Sequence, residues 1–173
     1  MKIQLSGIAN DSIVDGEGIR MTIFTQGCPH HCPQCHNPQT HSFTEGYFSD
    51  TDHIIAMMAE NPLLDGITLS GGEPMEQPKA CCILAEGAKK LGLNVWLYTG
   101  YTWEELLEKN TPSIQALLQK TDVLIDGRFV NSLRSLELVF RGSSNQRIID
   151  VQKSLYKTRL CFGLQNNKKA FLA

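Results

Sequence analysis

The stretch IRMTIFTQGCPHHCPQCHNP, residues 19–38, joins two kinds of sequence at a single point. Ile19, Met21, Ile23 and Thr25 alternate with Arg20, Thr22, Phe24 and Gln26, and apolar groups on both faces predict a buried strand. From Gly27 to His41 there is neither a helical nor a strand period, and three prolines and four of the five histidines crowd together, so the strand empties into a loop. That loop carries Cys28, Cys32 and Cys35 in the spacing C-x-x-x-C-x-x-C. Three thiolates at the end of a strand stand where α/β folds place ligands, and metal ligation is the predicted role. A four-iron cubane held by only three cysteines keeps one iron open to another ligand. The alternative is a closed zinc site with His36, His30 or His31 as fourth ligand, although zinc more often draws its ligands in two pairs. A cysteine nucleophile is poorly served here, because three thiols would compete and no base is singled out.

Outward from this loop, strand and helix alternate. Ser49 and Asp52 predict a helix start, with Ile54, Ile55, Met58 and Ala59 as its apolar face and Asn61-Pro62 as its stop. Gly66 to Leu69 reads as a short strand running into Ser70-Gly71-Gly72-Glu73-Pro74, and Pro78 opens a helix whose apolar side holds Cys81, Leu84, Ala85, Ala88 and Leu91 until Gly92 stops it. Asn94 to Tyr98 and Asp122 to Ile125 are further buried strands, with helices over Trp103–Lys109, capped by Thr102, and over Ser113–Lys120 between them. This order implies parallel β-α units and an α/β fold in one domain over 1–173. About four clear strands are too few for a complete eight-stranded barrel of about 250 residues. Residues 128–173 are less regular, and the Arg141 to Asp150 run either touches a partner or packs as a final strand.

Composition narrows the function. With 16 basic and 18 acidic residues the net charge is −2, which lacks the basic excess of a general nucleic-acid binder. The sign is uneven: residues 1–139 carry 9 basic and 17 acidic side chains, whereas 140–173 carry 7 basic and 1 acidic, so the C-terminal end is a docking surface or a solvated tail. No apolar run approaches the roughly 20 residues of a membrane span, and no basic-then-apolar leader opens the chain, so no membrane role and a cytoplasmic location are expected. Cys81, Cys82 and Cys161 lie far from the crowded trio, and with no export signal a disulfide framework is the poorer reading of the six cysteines.

The cysteine loop, together with Gly71-Gly72-Glu73-Pro74 after the next strand, resembles the radical S-adenosylmethionine enzymes. More closely, VDGEGIR (14–20), GCPHHCPQCHNP (27–38), SGGEP (70–74), WLYTGYT (96–102), LIDGRF (124–129) and RGSSNQRIIDV (141–151) resemble the glycyl-radical-enzyme activases that serve the anaerobic ribonucleoside-triphosphate reductase. The short chain fits these better than the longer activase of pyruvate formate-lyase. The resemblance implies a partial, open (β/α) barrel of the radical S-adenosylmethionine type, trimmed in size. It also implies a [4Fe-4S] cluster on Cys28, Cys32 and Cys35 whose open iron is chelated by S-adenosylmethionine. Reductive cleavage then gives methionine and a 5′-deoxyadenosyl radical, which takes hydrogen from a glycine of the reductase. An electron donor such as flavodoxin or ferredoxin is implied as a second partner.

The same resemblance suggests cofactor contacts. Gly71 and Gly72 would let backbone approach the methionine part, and Glu73 would accept from its amino group or orient the loop. Gln34, Cys35 and His36 match the segment beside adenine. The wider superfamily often has an aromatic residue where this chain has Gln34, which can only hydrogen-bond, so the apolar face for adenine must come from elsewhere. Thr99, Asp126 and Arg128 fall at later strand ends facing ribose or carboxylate, with Arg128 able to grip a carboxylate through two N–H groups or, alternatively, to pair with Asp126 at the surface. His30, His31, His41 and His53 are read as solvated and carry no expected role.

Overall fold

The alternation of residues 19–26 forms strand β2 (Arg20–Thr25), and two faces of one sheet grow from it. The computed structural model describes residues 1–157 and 159–163. Its other strands are β1 (Lys2–Ser12), β3 (Tyr47–Asp50), β4 (Gly66–Gly71), β5 (Asn94–Tyr98), β6 (Val123–Asp126) and β7 (Arg147–Asp150). They lie in the order β3-β1-β2-β4-β5-β6-β7. β2, β4, β5 and β6 are parallel neighbours, while β1, β3 and β7 pair antiparallel at the two sides. The expected α/β class is present, as a seven-stranded mixed sheet rather than four strands.

The three additional strands gave little signal for physical reasons. β1 is an outer neighbour whose side chains are mostly half-buried, and two register shifts against β2 interrupt its alternation. β3 and β7 are only four residues long.

Among the described residues five α-helices, α1 (Thr51–Glu60), α2 (Pro78–Lys90), α3 (Trp103–Lys109), α4 (Pro112–Lys120) and α5 (Val151–Lys157), link or follow the strands. Met21, Ile23, Ile67, Leu69, Val95, Leu97 and Leu124 face one way and bury against Ile54, Met58, Cys81, Leu84, Ile114 and Leu117 of α1, α2 and α4. Cys81 is therefore core, as its helical spacing predicts. Local caps set the helix starts. Asp50, not Ser49, caps α1 by accepting from the Asp52 N–H, and Thr102 with Glu105 forms a reciprocal capping box at α3.

The opposite face has a smaller apolar cluster of Trp96, Ile125 and Ile148 with Tyr98, Val123 and Phe140. It also holds Arg20, wholly buried, whose Nε donates to Thr68 Oγ1 (2.7 Å) and Nη1 to the Glu17 carbonyl (2.9 Å), with the guanidinium 5.3 Å from the Trp96 ring. A buried guanidinium is tolerable only with such partners. Among the described residues no helix is long and apolar enough to cross a membrane.

Candidate metal and cofactor site

All four parallel strands run in one direction, so Thr25, Gly71, Tyr98 and Asp126 finish at the same sheet edge and the loops that follow them meet there. Between these loops lies a cleft open to solvent. Cys28, Cys32 and Cys35 line it together with Gly71, Gly72 and Thr99. Six of the residues singled out from the sequence are thus brought together, from three different loops.

Backbone pairing holds the cysteine loop in place. Gly27 N–H donates to the Thr40 carbonyl (2.8 Å) and Cys28 N–H to the His41 carbonyl (3.1 Å), which closes the loop at its base. At its tip Cys35 N–H donates to the Cys32 carbonyl (3.1 Å), and Asn37 N–H points to Cys35 Sγ at 3.4 Å. Burial pushes the Cys28 thiol up to about 11 and raises Cys32 as well, because neither has a cation close enough to offset the cost of a buried thiolate. A bound metal supplies that missing positive charge.

The Gly71-Gly72 turn is tight on both sides. Gly71 has φ +95°, and a Cβ there would lie 2.6 Å from Phe24 Cα. A Cβ on Gly72 would meet the Gly27 carbonyl oxygen at 2.4 Å. The cysteine loop and the glycine turn therefore touch backbone to backbone, tied further by Glu73 N–H donating to the same Gly27 carbonyl (2.8 Å).

Glu73 is wholly buried and both carboxylate oxygens are engaged. Oε1 accepts from Met75 N–H (3.0 Å) and Thr99 Oγ1 (2.8 Å), and Oε2 from Gly100 N–H (2.8 Å) and His30 Nε2 (2.8 Å). His30 is the residue of this network that the sequence does not announce: its side chain is 5% exposed rather than solvated. Arg128 Nε donates to His30 Nδ1 (3.3 Å), so this nitrogen is the acceptor and Nε2 carries the hydrogen given to Glu73. Arg128 also pairs with Glu105 (3.2 Å). One chain of contacts thus runs from the loop after β6 through the cysteine loop to the loops after β4 and β5.

The remaining predicted residues stand outside the cleft lining. Asp126 is buried and accepts from Trp103 N–H (2.7 Å) and from Arg147, so the alternative ion pair with Arg128 does not form. Gln34 is exposed with φ +57°, and the His36 ring packs on Phe129 at 4.6 Å. Phe129 lines the cleft, as do Tyr98, Gln146 and His41. Phe129 and Gln146 sit in the quoted LIDGRF and RGSSNQ motifs, and that membership was the available signal. His41 has its pKa lowered by burial and then by His31, whose ring meets it edge-on at 5.2 Å.

The donor set fits an iron–sulfur cubane better than one zinc ion. Its three donors are all cysteine thiols, one for each of three irons of a cubane. Of the histidines available for a fourth zinc position, His30 is already committed to Glu73 and Arg128.

Residues 14–149 match the family model described as a 4Fe-4S single cluster domain. The protein of Salmonella typhi called "Anaerobic ribonucleoside-triphosphate reductase-activating protein" is 39% identical over 142 residues, 78% of this chain and 90% of that relative. Proteins of the same name from Escherichia coli (strain K12) and Enterobacteria phage T4 are 37% and 30% identical over 78% of this chain, covering 90% and 86% of their own lengths. Among solved structures, QueE from Escherichia coli overlaps 59% of this chain and 54% of its own at 17% identity, with a TM-score of 0.44.

Proposed function

Because the chain belongs to the family of anaerobic ribonucleoside-triphosphate reductase-activating proteins, we propose that its strand-end cleft is the site at which that reductase is activated. The observation that carries this reading is the meeting of Cys28, Cys32 and Cys35 with Gly71, Gly72 and Thr99 in one cleft. When bound there, a reduced [4Fe-4S] cluster and S-adenosylmethionine supply the one-electron chemistry that ends in a glycyl radical on the reductase.

The chain's own residues hold and orient. The three cysteines ligate the cluster, and the Gly71-Gly72 backbone receives the methionine part of the cofactor. Glu73, saturated by four donors, fixes that turn against the β5 loop, while Thr99 lies at the cleft wall beside it. Phe129, braced by His36, offers the apolar face for adenine that Gln34 lacks. Asp126 acts from behind the wall by anchoring Arg147 and the start of α3, and Arg128 acts through His30.

The sheet, unpaired between β3 and β7, serves as the trimmed, open barrel that leaves room for a protein substrate. A small one-electron carrier such as flavodoxin or ferredoxin is the expected donor. All seven strands belong to one sheet, which supports a single working domain whose basic end, 140–173, lies partly outside the described residues.

The test is electron paramagnetic resonance of the reduced, cluster-loaded protein mixed with S-adenosylmethionine and the reductase. A glycyl-radical doublet on the reductase is expected. A loaded protein that cleaves the cofactor yet never yields the doublet would overturn the reading.

A further inference from the structure

Three side-chain nitrogen or oxygen atoms among the described residues are buried without a hydrogen-bond partner: His41 Nε2, Asn94 Oδ1 and Arg141 Nε. Of the three residues only His41 lines the cleft that Cys28, Cys32 and Cys35 share. A buried polar atom left unpaired is destabilising, and such atoms at a ligand cleft point to a partner that the polypeptide itself does not supply. The position of His41 is well fixed. Its carbonyl accepts from Cys28 N–H (3.1 Å), its neighbour Thr40 accepts from Gly27 N–H (2.8 Å), and His31 braces its ring edge-on.

We infer that His41 Nε2 donates a hydrogen bond to a sulfur of the cluster and thereby raises its reduction potential. The inference rests on the cluster reading given above. Sulfide and thiolate sulfurs accept hydrogen bonds, and adding an electron increases their negative charge. A donor on them therefore favours the reduced form. His41 is a tuning residue in this account: it neither ligates iron nor reacts.

The test compares midpoint potentials of the reconstituted cluster, without S-adenosylmethionine, in the unsubstituted protein, His41→Phe and His41→Gln, each with measured iron content. Phenylalanine keeps the ring volume without the donor, and glutamine places an amide N–H near the same point. His41→Phe is expected to hold about tenfold less reduced cluster at a fixed poise, a downward shift of about 59 mV for one electron, with His41→Gln close to the unsubstituted value. An unchanged potential in His41→Phe at full iron content overturns the inference. So do equal shifts in both variants, which would indicate packing alone, or a difference seen only once S-adenosylmethionine is added, which would place the nitrogen on the cofactor. The unsubstituted protein carrying ¹⁵N-histidine provides an arm independent of variant folding: a histidine ¹⁵N coupling to the reduced cluster is expected, and its absence also overturns the inference. An unsubstituted protein that assembles no four-iron cluster removes the cluster reading itself, and the inference with it.

Discussion

His30 Nε2 lies 2.8 Å from Glu73 Oε2, with 5% and 0% of the two side chains exposed, so the cysteine loop and the glycine turn are joined out of water. Water cannot replace either partner there. His30→Ala is expected to cost about 1–3 kcal/mol of stability in denaturant unfolding, since Glu73 Oε2 loses a donor and Arg128 an acceptor. It should also weaken the cofactor-induced change in the reduced cluster's paramagnetic spectrum, with His30→Gln recovering part of both. Full stability and an unaltered spectrum in His30→Ala would mean that the contact positions nothing.

Replacing any one of Cys28, Cys32 or Cys35 by Ala is expected to abolish stable four-iron content and cleavage of S-adenosylmethionine, because two thiolates do not hold a cubane. Cys81, Cys82 and Cys161 are free cysteines away from the cleft lining, and their alanine variants should keep both properties. Iron per chain after anaerobic reconstitution decides, and a Cys32→Ala protein with a full cluster would refute the ligand set.

The cysteine loop, the glycine turn and the four parallel strands were legible because each is local: alternation, breakers and ligand spacing lie within a few consecutive residues. β1 was not, since its partners β2 and β3 decide which of its side chains are covered. His30 escapes a sequence reading for the same reason. What buries His30 is Glu73, Arg128 and Gly100, residues between 43 and 98 positions away, and no local pattern announces them. For Asp126 and Arg128, closeness in sequence offers a surface ion pair as the alternative to a cofactor contact. The strand end turns them apart, and Asp126 finds Arg147 on the adjacent antiparallel strand.

Hydrogen bonds from Arg147 hold the Glu104 carboxyl below its ordinary range. A carboxyl with a lowered folded pKa contributes stability above its unfolded value of about 4.3, and this is lost as pH falls through the folded value. Glu104→Gln should therefore be the less stable protein near neutrality, with the gap to the unsubstituted protein closing as pH falls below about 5. Thermal midpoints across that range provide the check. A gap that stays constant would show that the ion pair adds nothing that titrates.

Gly72 and Gly92 separate two reasons for glycine. Gly92 follows α2 with φ +78° and open space where a Cβ would stand, so its need is conformational only. Gly92→Ala should cost about 1 kcal/mol, as a residue forced into the left-handed region, and leave iron content unchanged. At Gly72 the constraint is contact. A methyl there would stand 2.4 Å from the Gly27 carbonyl oxygen and 3.0 Å from that of Thr40. Those carbonyls accept from Glu73 N–H and Gly27 N–H, the two bonds that align the glycine turn, the base of the cysteine loop and the segment entering His41. The methyl cannot be accommodated by one flexible side chain, because the atoms it meets are backbone. Gly72→Ala is therefore expected to lower iron retention as well as the cofactor-induced spectral change, although Gly72 is not itself a cluster ligand. Iron per chain and that spectral change, measured in both variants beside thermal midpoints, give the decision. Full iron and an intact spectral response in Gly72→Ala would show that the cysteine loop can shift away from the turn without losing its cluster.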